Sequence, residues 1–65
     1  MTQRQVNHIR LFCKDNKLPQ PSQYGKQGKC MVKWRRLSGY AYRDYAAAMS
    51  FLVSLIRERE SRMRA

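Results

Sequence analysis

Acidic residues are scarce in this chain: four Asp/Glu stand against fourteen Lys/Arg in 65 residues, a formal net charge of +10. With one histidine, His8, the groups from which acid–base catalysis is built are nearly absent. Asp15, Asp44, Glu58 and Glu60 are scattered, and Glu58 and Glu60 fall on different faces of one helical segment, so no carboxylate pair forms. No catalytic residue and no enzymatic activity are expected. Cysteine is equally sparse. Cys13 and Cys30 with His8 fall short of the four closely spaced ligands of a structural metal site, so no metal or other cofactor is expected. Both cysteines read as small buried apolar residues with free thiols, one on a helix face and one on a strand face. Long hydrophobic runs are missing too. The longest, Tyr45 to Ile56, is broken by Ser50 and Ser54 and is well short of the ~20 residues of a membrane span. The segment Met1 to Gln5 is polar and lacks the apolar core of a signal peptide, so a cytoplasmic protein with no membrane partner is expected.

What remains is a single small basic domain over residues 1–65. A chain of this size buries only about 60% of its unfolded surface, so every large apolar residue counts. Thr2 and Gln5 have the spacing of a capping box, and Val6, Ile9, Phe12 and Cys13 then share one helical face. That helix is expected to stop near Asn16–Lys17, because Leu18 precedes Pro19 and is biased towards extended geometry. Pro19 to Lys29 is punctuated by two prolines and two glycines. From Cys30 to Arg35 the pattern is that of a strand, with Cys30, Val32 and Trp34 on one side and Met31, Lys33 and Arg35 on the other. The segment Gly25 to Lys29 is a candidate hairpin loop joining it to a short strand near Ser22–Tyr24, and Tyr40–Tyr42 is a candidate third strand. Tyr42, Tyr45, Met49, Leu52 and Ile56 recur at three- and four-residue steps, predicting a long terminal helix that starts between Ser38 and Asp44. Arg57, Arg59, Arg62 and Arg64 suit the negative end of its dipole. The predicted class is α+β: an N-terminal helix, a small antiparallel hairpin or three-stranded sheet, and a long C-terminal helix.

Charge of one sign at this density is self-repulsive, and a polyanion relieves it. The excess is densest between Lys26 and Arg43, where cations alternate with Met31, Trp34, Tyr40 and Tyr42. Lys26, Lys29, Lys33, Arg35, Arg36 and Arg43 are the candidate nucleic-acid contacts, joined by a stripe of Arg10, Lys14 and Lys17 on the first helix. Gly25 and Gly28 allow close approach of backbone to a phosphate. Trp34 is expected in the core, the other reading being a platform for stacked bases. The Tyr45, Met49, Leu52 and Ile56 seam either buries against the chain's own sheet and first helix or forms a homodimer contact that doubles the charged footprint. The partner expected is nucleic acid, with duplex DNA favoured over RNA. The alternative outside that class is an inhibitor or adaptor docking its basic face on an acidic protein surface. Small size, basic charge and the lack of catalytic groups suit an accessory or regulatory protein of a phage or other bacterial mobile element.

The segment from Ile9 to Tyr24, with Leu18, Pro19, Pro21 and Tyr24 in its turn, resembles the opening of double-stranded RNA-binding domains. Ala46, Ala47 and Ala48 with Leu52 and Leu55 look like that family's alanine-rich second helix. The resemblance implies a helix–sheet–helix order and binding to duplex RNA. At the start of the second helix, Tyr42, Arg43, Asp44 and Tyr45 stand where the family has lysines that clamp phosphates. The stretch Lys29 to Ile56 is also similar to small sheet-plus-helix DNA readers such as the arm-binding domains of phage integrases, which implies a sheet laid into the major groove.

Overall fold

In the computed structural model, which describes residues 1–26 and 28–64, the order is helix, three strands, helix. The first helix, α1, runs Gln3–Asp15 and begins at the expected capping box. The Thr2 hydroxyl accepts from the Gln5 N–H at 3.2 Å, and the Gln5 side chain accepts from the Thr2 N–H at 2.9 Å. Two donors that the helix leaves unsatisfied are thereby closed locally. At the other end Asn16 caps the helix, its side-chain amide donating to the Phe12 carbonyl at 2.8 Å. Lys17 then turns the chain with φ +55°.

Strands β1 (Ser22–Tyr24), β2 (Met31–Lys33) and β3 (Ala41–Tyr42) form one antiparallel sheet in the order β1-β2-β3. β2 is shorter than the Cys30 to Arg35 pattern predicts. The Trp34 carbonyl leaves the ladder to accept from Leu37, Ser38 and Gly39, closing the turn into β3. Upstream, the Cys30 N–H is taken by the Met1 carbonyl at 3.0 Å. The loop joining β1 to β2 is the expected one, although its Gln27 lies outside the described residues.

The second helix, α2, runs Tyr45–Arg64, and the Arg64 side chain lies outside the description. Of the two starts the sequence allows, the later is realised: the Asp44 carbonyl accepts from Ala48 at 3.0 Å. Ser38 is not the cap because its hydroxyl accepts from the Tyr40 N–H within the β2–β3 turn, at 3.3 Å. Tyr42 is therefore a strand residue opposite Val32 and not the first member of the helical seam. The α2 residues Leu52 and Ala48 are fully buried within the chain, and Tyr45, Met49 and Ile56 are half-buried. Leu52 is thus enclosed by this chain's own elements and out of reach of a second copy.

The core joins Val6, Ile9 and Cys13 of α1 to Cys30, Val32 and Trp34 of the β2 segment and to Ala48 and Leu52 of α2. Because Cys30, Val32 and Trp34 share one side, both helices pack on the same face of the sheet. Trp34 is the centre of this core. Its indole N–H donates to the Pro19 carbonyl at 2.8 Å, and its rings meet Phe51 and Tyr42 at centroid distances of 5.4 and 5.8 Å. The helices are also tied at both ends: Tyr45 hydrogen-bonds and stacks with His8, and Arg59 donates to the Asn16 carbonyl at 2.8 Å. The second contact sets a cation on the negative end of α1, where it is favourable.

Cys13 and Cys30 are both free and buried. Burial pushes the Cys13 thiol above its ordinary value, opposed by a smaller effect of the neighbouring Trp34 indole. The reactive thiolate is therefore disfavoured twice, by protonation and by access. Alkylation by iodoacetamide at neutral pH should be slow in the native protein and fast in denaturant. Fast native labelling at Cys13 would contradict this packing.

Candidate nucleic-acid interface

Packing both helices on one face leaves the other face of the sheet open. The register puts Ser22 opposite Lys33 and Tyr24 opposite Met31, and Lys33 is flanked on its other side by Ala41. These residues, with Arg35 two positions beyond Lys33, make up the open face. Lys33 thus lies where the alternation of the strand sends it, and Arg35 is exposed in the turn beyond, with Val32 and Trp34 buried behind.

Tyr24 organises this face. Its hydroxyl accepts from Arg35 Nε at 3.1 Å and from Arg35 Nη2 at 2.7 Å. Both bonds tie Arg35, in the turn that follows β2, back to β1. The Arg35 hydrogen bond holds the Tyr24 phenol below its ordinary pKa, against a smaller opposing effect of desolvation, with the Arg35 charge, the Ser22 hydroxyl and the Lys33 charge adding to the lowering. Ser22 and Tyr24 of β1, Lys33 of β2 and Arg35 of the following turn therefore form one polar group of net positive charge.

The other expected contacts lie around it. Lys26 and Lys29 are exposed in the β1–β2 loop, Arg36 is exposed in the β2–β3 turn, and Arg43 is exposed just after β3. Arg10 and Lys14 of α1 and Lys17 in the turn that follows it are exposed as well, but they lie across the core from the open face. The structure thus divides the nine candidate cations into a sheet group and a helix group. Sequence reasoning missed Tyr24 and Ser22. The signal was available in the hairpin, since any register that pairs Gln23 with Val32 turns both of its neighbours to the side of Lys33.

Charge is distributed unevenly along the chain. Ten of the fourteen Lys/Arg and only one acid, Asp15, lie within residues 1–43, whereas α2 and its leader hold four arginines and three acids. Among the described residues the one ion pair joins Arg62 to Glu58 at 3.1 Å, on the exposed side of α2. The cations of the open face are left without a carboxylate partner among those residues, so their charge is available to an external anion. No helix among the described residues is long and apolar enough to cross a membrane. No family model, curated protein or solved structure matches the chain.

Proposed function

We propose that this protein is a non-enzymatic nucleic-acid-binding module, an accessory or regulatory protein that lays the open face of its sheet against duplex DNA. The observation that carries the reading is the Tyr24, Lys33 and Arg35 cluster on a sheet face that neither helix covers. Two strands about 4.8 Å apart make a ribbon that fits a major groove about 12 Å wide. Lys29, Arg36 and Arg43 at the rim then meet the phosphates on either side, and their contacts release condensed counterions. Such a protein in a phage or other mobile element would need no catalytic group of its own.

The test is a gel-shift titration on duplex DNA, duplex RNA and the corresponding single strands across a range of salt. With ~4–6 phosphate contacts, log affinity for duplex DNA should fall against log salt with a slope of about −4 to −5. Binding to none of the four at low salt would refute the reading and favour the acidic protein surface.

A second reading has its own observation. The α1-β1-β2-β3-α2 order, with both helices on one sheet face, is the order that the resemblance to double-stranded RNA-binding domains implies. Under that reading the contacts are the α1 group, Arg10, Lys14 and Lys17, with Lys26 and Lys29 of the loop. Duplex RNA would then outcompete duplex DNA.

A further inference from the structure

The Tyr24–Arg35 contact determines which of the arginine's donors remain for a ligand. A guanidinium carries five N–H groups in a rigid plane. Tyr24 takes the Nε–H and the Nη2–H that runs parallel to it, which together form the side edge of the plane. What remains is the end edge: a parallel pair of N–H groups on Nη1 and Nη2, with one further Nη1–H. From this geometry we infer that Arg35 is a guanine-reading residue, its free fork donating to O6 and N7 of a G·C pair in the major groove. Tyr24 acts as the positioning residue that holds the fork in place. The inference rests on the duplex DNA reading above.

The acceptors that match this fork are restricted. In the major groove only guanine offers two adjacent acceptors; adenine offers one acceptor beside a donor, and cytosine a donor. A phosphate also offers two oxygens, but the neighbouring cations already suit that role. Lys29, Arg36 and Arg43 are exposed on loops and turns around the face, with rotamer freedom to follow the backbone. Arg35, exposed in the same turn as Arg36, differs from them in being tied back to Tyr24 of β1 by two hydrogen bonds. Anchoring also lowers the entropy lost on binding, since the long side chain is already ordered. Lysine is a poorer substitute: its ammonium can reach O6 and N7, but it has no side edge for Tyr24 to hold in place.

A randomised duplex library passed over the immobilised full chain, followed by sequencing of the retained fraction, reads the preference directly. Guanine should be enriched at a fixed position. Replacing that guanine by 7-deazaguanine, which deletes the N7 acceptor and keeps pairing and phosphates, should weaken binding about five- to tenfold, as loss of one charge-assisted hydrogen bond does. Arg35→Lys, which keeps the charge and loses the fork held by Tyr24, should reduce the enrichment while leaving the salt dependence of binding unchanged. Tyr24→Phe, which keeps the ring and removes the hydroxyl, should reduce the enrichment with the protein still folded by circular dichroism. Retention of duplexes with no guanine enrichment, or enrichment indifferent to 7-deazaguanine or to Tyr24→Phe, overturns the guanine assignment and leaves duplex binding standing. If no duplex is retained at low salt, the duplex reading itself falls, and the guanine assignment falls with it.

Discussion

Trp34→Ala is expected to unfold the protein outright. The indole is 2% exposed, lies against Phe51 and Tyr42, and donates its N–H to the Pro19 carbonyl. Truncating a buried aromatic of this size costs about 3–5 kcal/mol. The Pro19 carbonyl loses its partner as well, a further cost of about 1 kcal/mol. A domain this small rarely has more than about 3–5 kcal/mol in total, so nothing is left to hold the fold. Urea titration followed by circular dichroism should show no cooperative transition in the variant. Trp34→Phe, which keeps a ring in the site and loses only the bond and part of the volume, should fold with a lowered midpoint. An alanine variant that unfolds like the parent chain but no longer binds nucleic acid would make Trp34 a stacking platform.

Gly25→Ala should be the most damaging change outside the core. Gly25 has φ +89°, and a Cβ there would collide with the backbone carbonyl of Lys29. The loop cannot relax away easily, because the Lys29 N–H is bonded to the Lys26 carbonyl at 2.9 Å across the same turn. The left-handed backbone alone costs a non-glycine residue about 1–3 kcal/mol. Gly28→Ala is the internal control: its φ is +75°, but nothing lies within 4 Å of the added carbon. Both variants should melt lower, Gly25→Ala by clearly more. Each kcal/mol corresponds to a shift of about 4–8 °C in a domain of this size. Equal shifts would mean that the Lys29 contact is not part of the native loop. The functional consequence follows from register, since a one-residue slip of β1–β2 would carry Lys33 to the core side and Val32 to the open side.

The two helices and the central strand were legible because their signals are local. The Thr2 and Gln5 cap, the Val6, Ile9 and Cys13 face, and the alternation of Cys30, Val32 and Trp34 each need only a few neighbouring residues to read. Tyr42 was ambiguous for a physical reason. It lies three residues before Tyr45 and so fits the helical period, while its alternation with Tyr40 fits a strand equally well. Pairing with Val32, ten residues away, decides between them. The start of α2 had the same difficulty, because Ser38 can cap a helix or close a turn, and the Trp34 carbonyl draws it into the turn. On the open face, Lys33 follows from strand alternation alone, whereas the strand ends before Arg35. The Tyr24 contact does not, since it joins residues eleven apart and requires both the hairpin register and a long side chain folding back along the sheet. Leu52 illustrates the limit of a periodic seam: the spacing shows that a face is apolar, and only the tertiary arrangement shows what covers it.

The open sheet face, and not α1, is expected to meet duplex DNA. The direct measurement compares two variants by salt-dependent binding to the same duplex: Lys33→Ala with Arg35→Ala, and Arg10→Ala with Lys14→Ala and Lys17→Ala. All five side chains reach solvent and none belongs to the core, so both variants should fold. The sheet variant should bind the duplex clearly more weakly, and the helix variant should match the parent chain in affinity and slope. A helix variant that loses slope and affinity while the sheet variant keeps both would contradict the account.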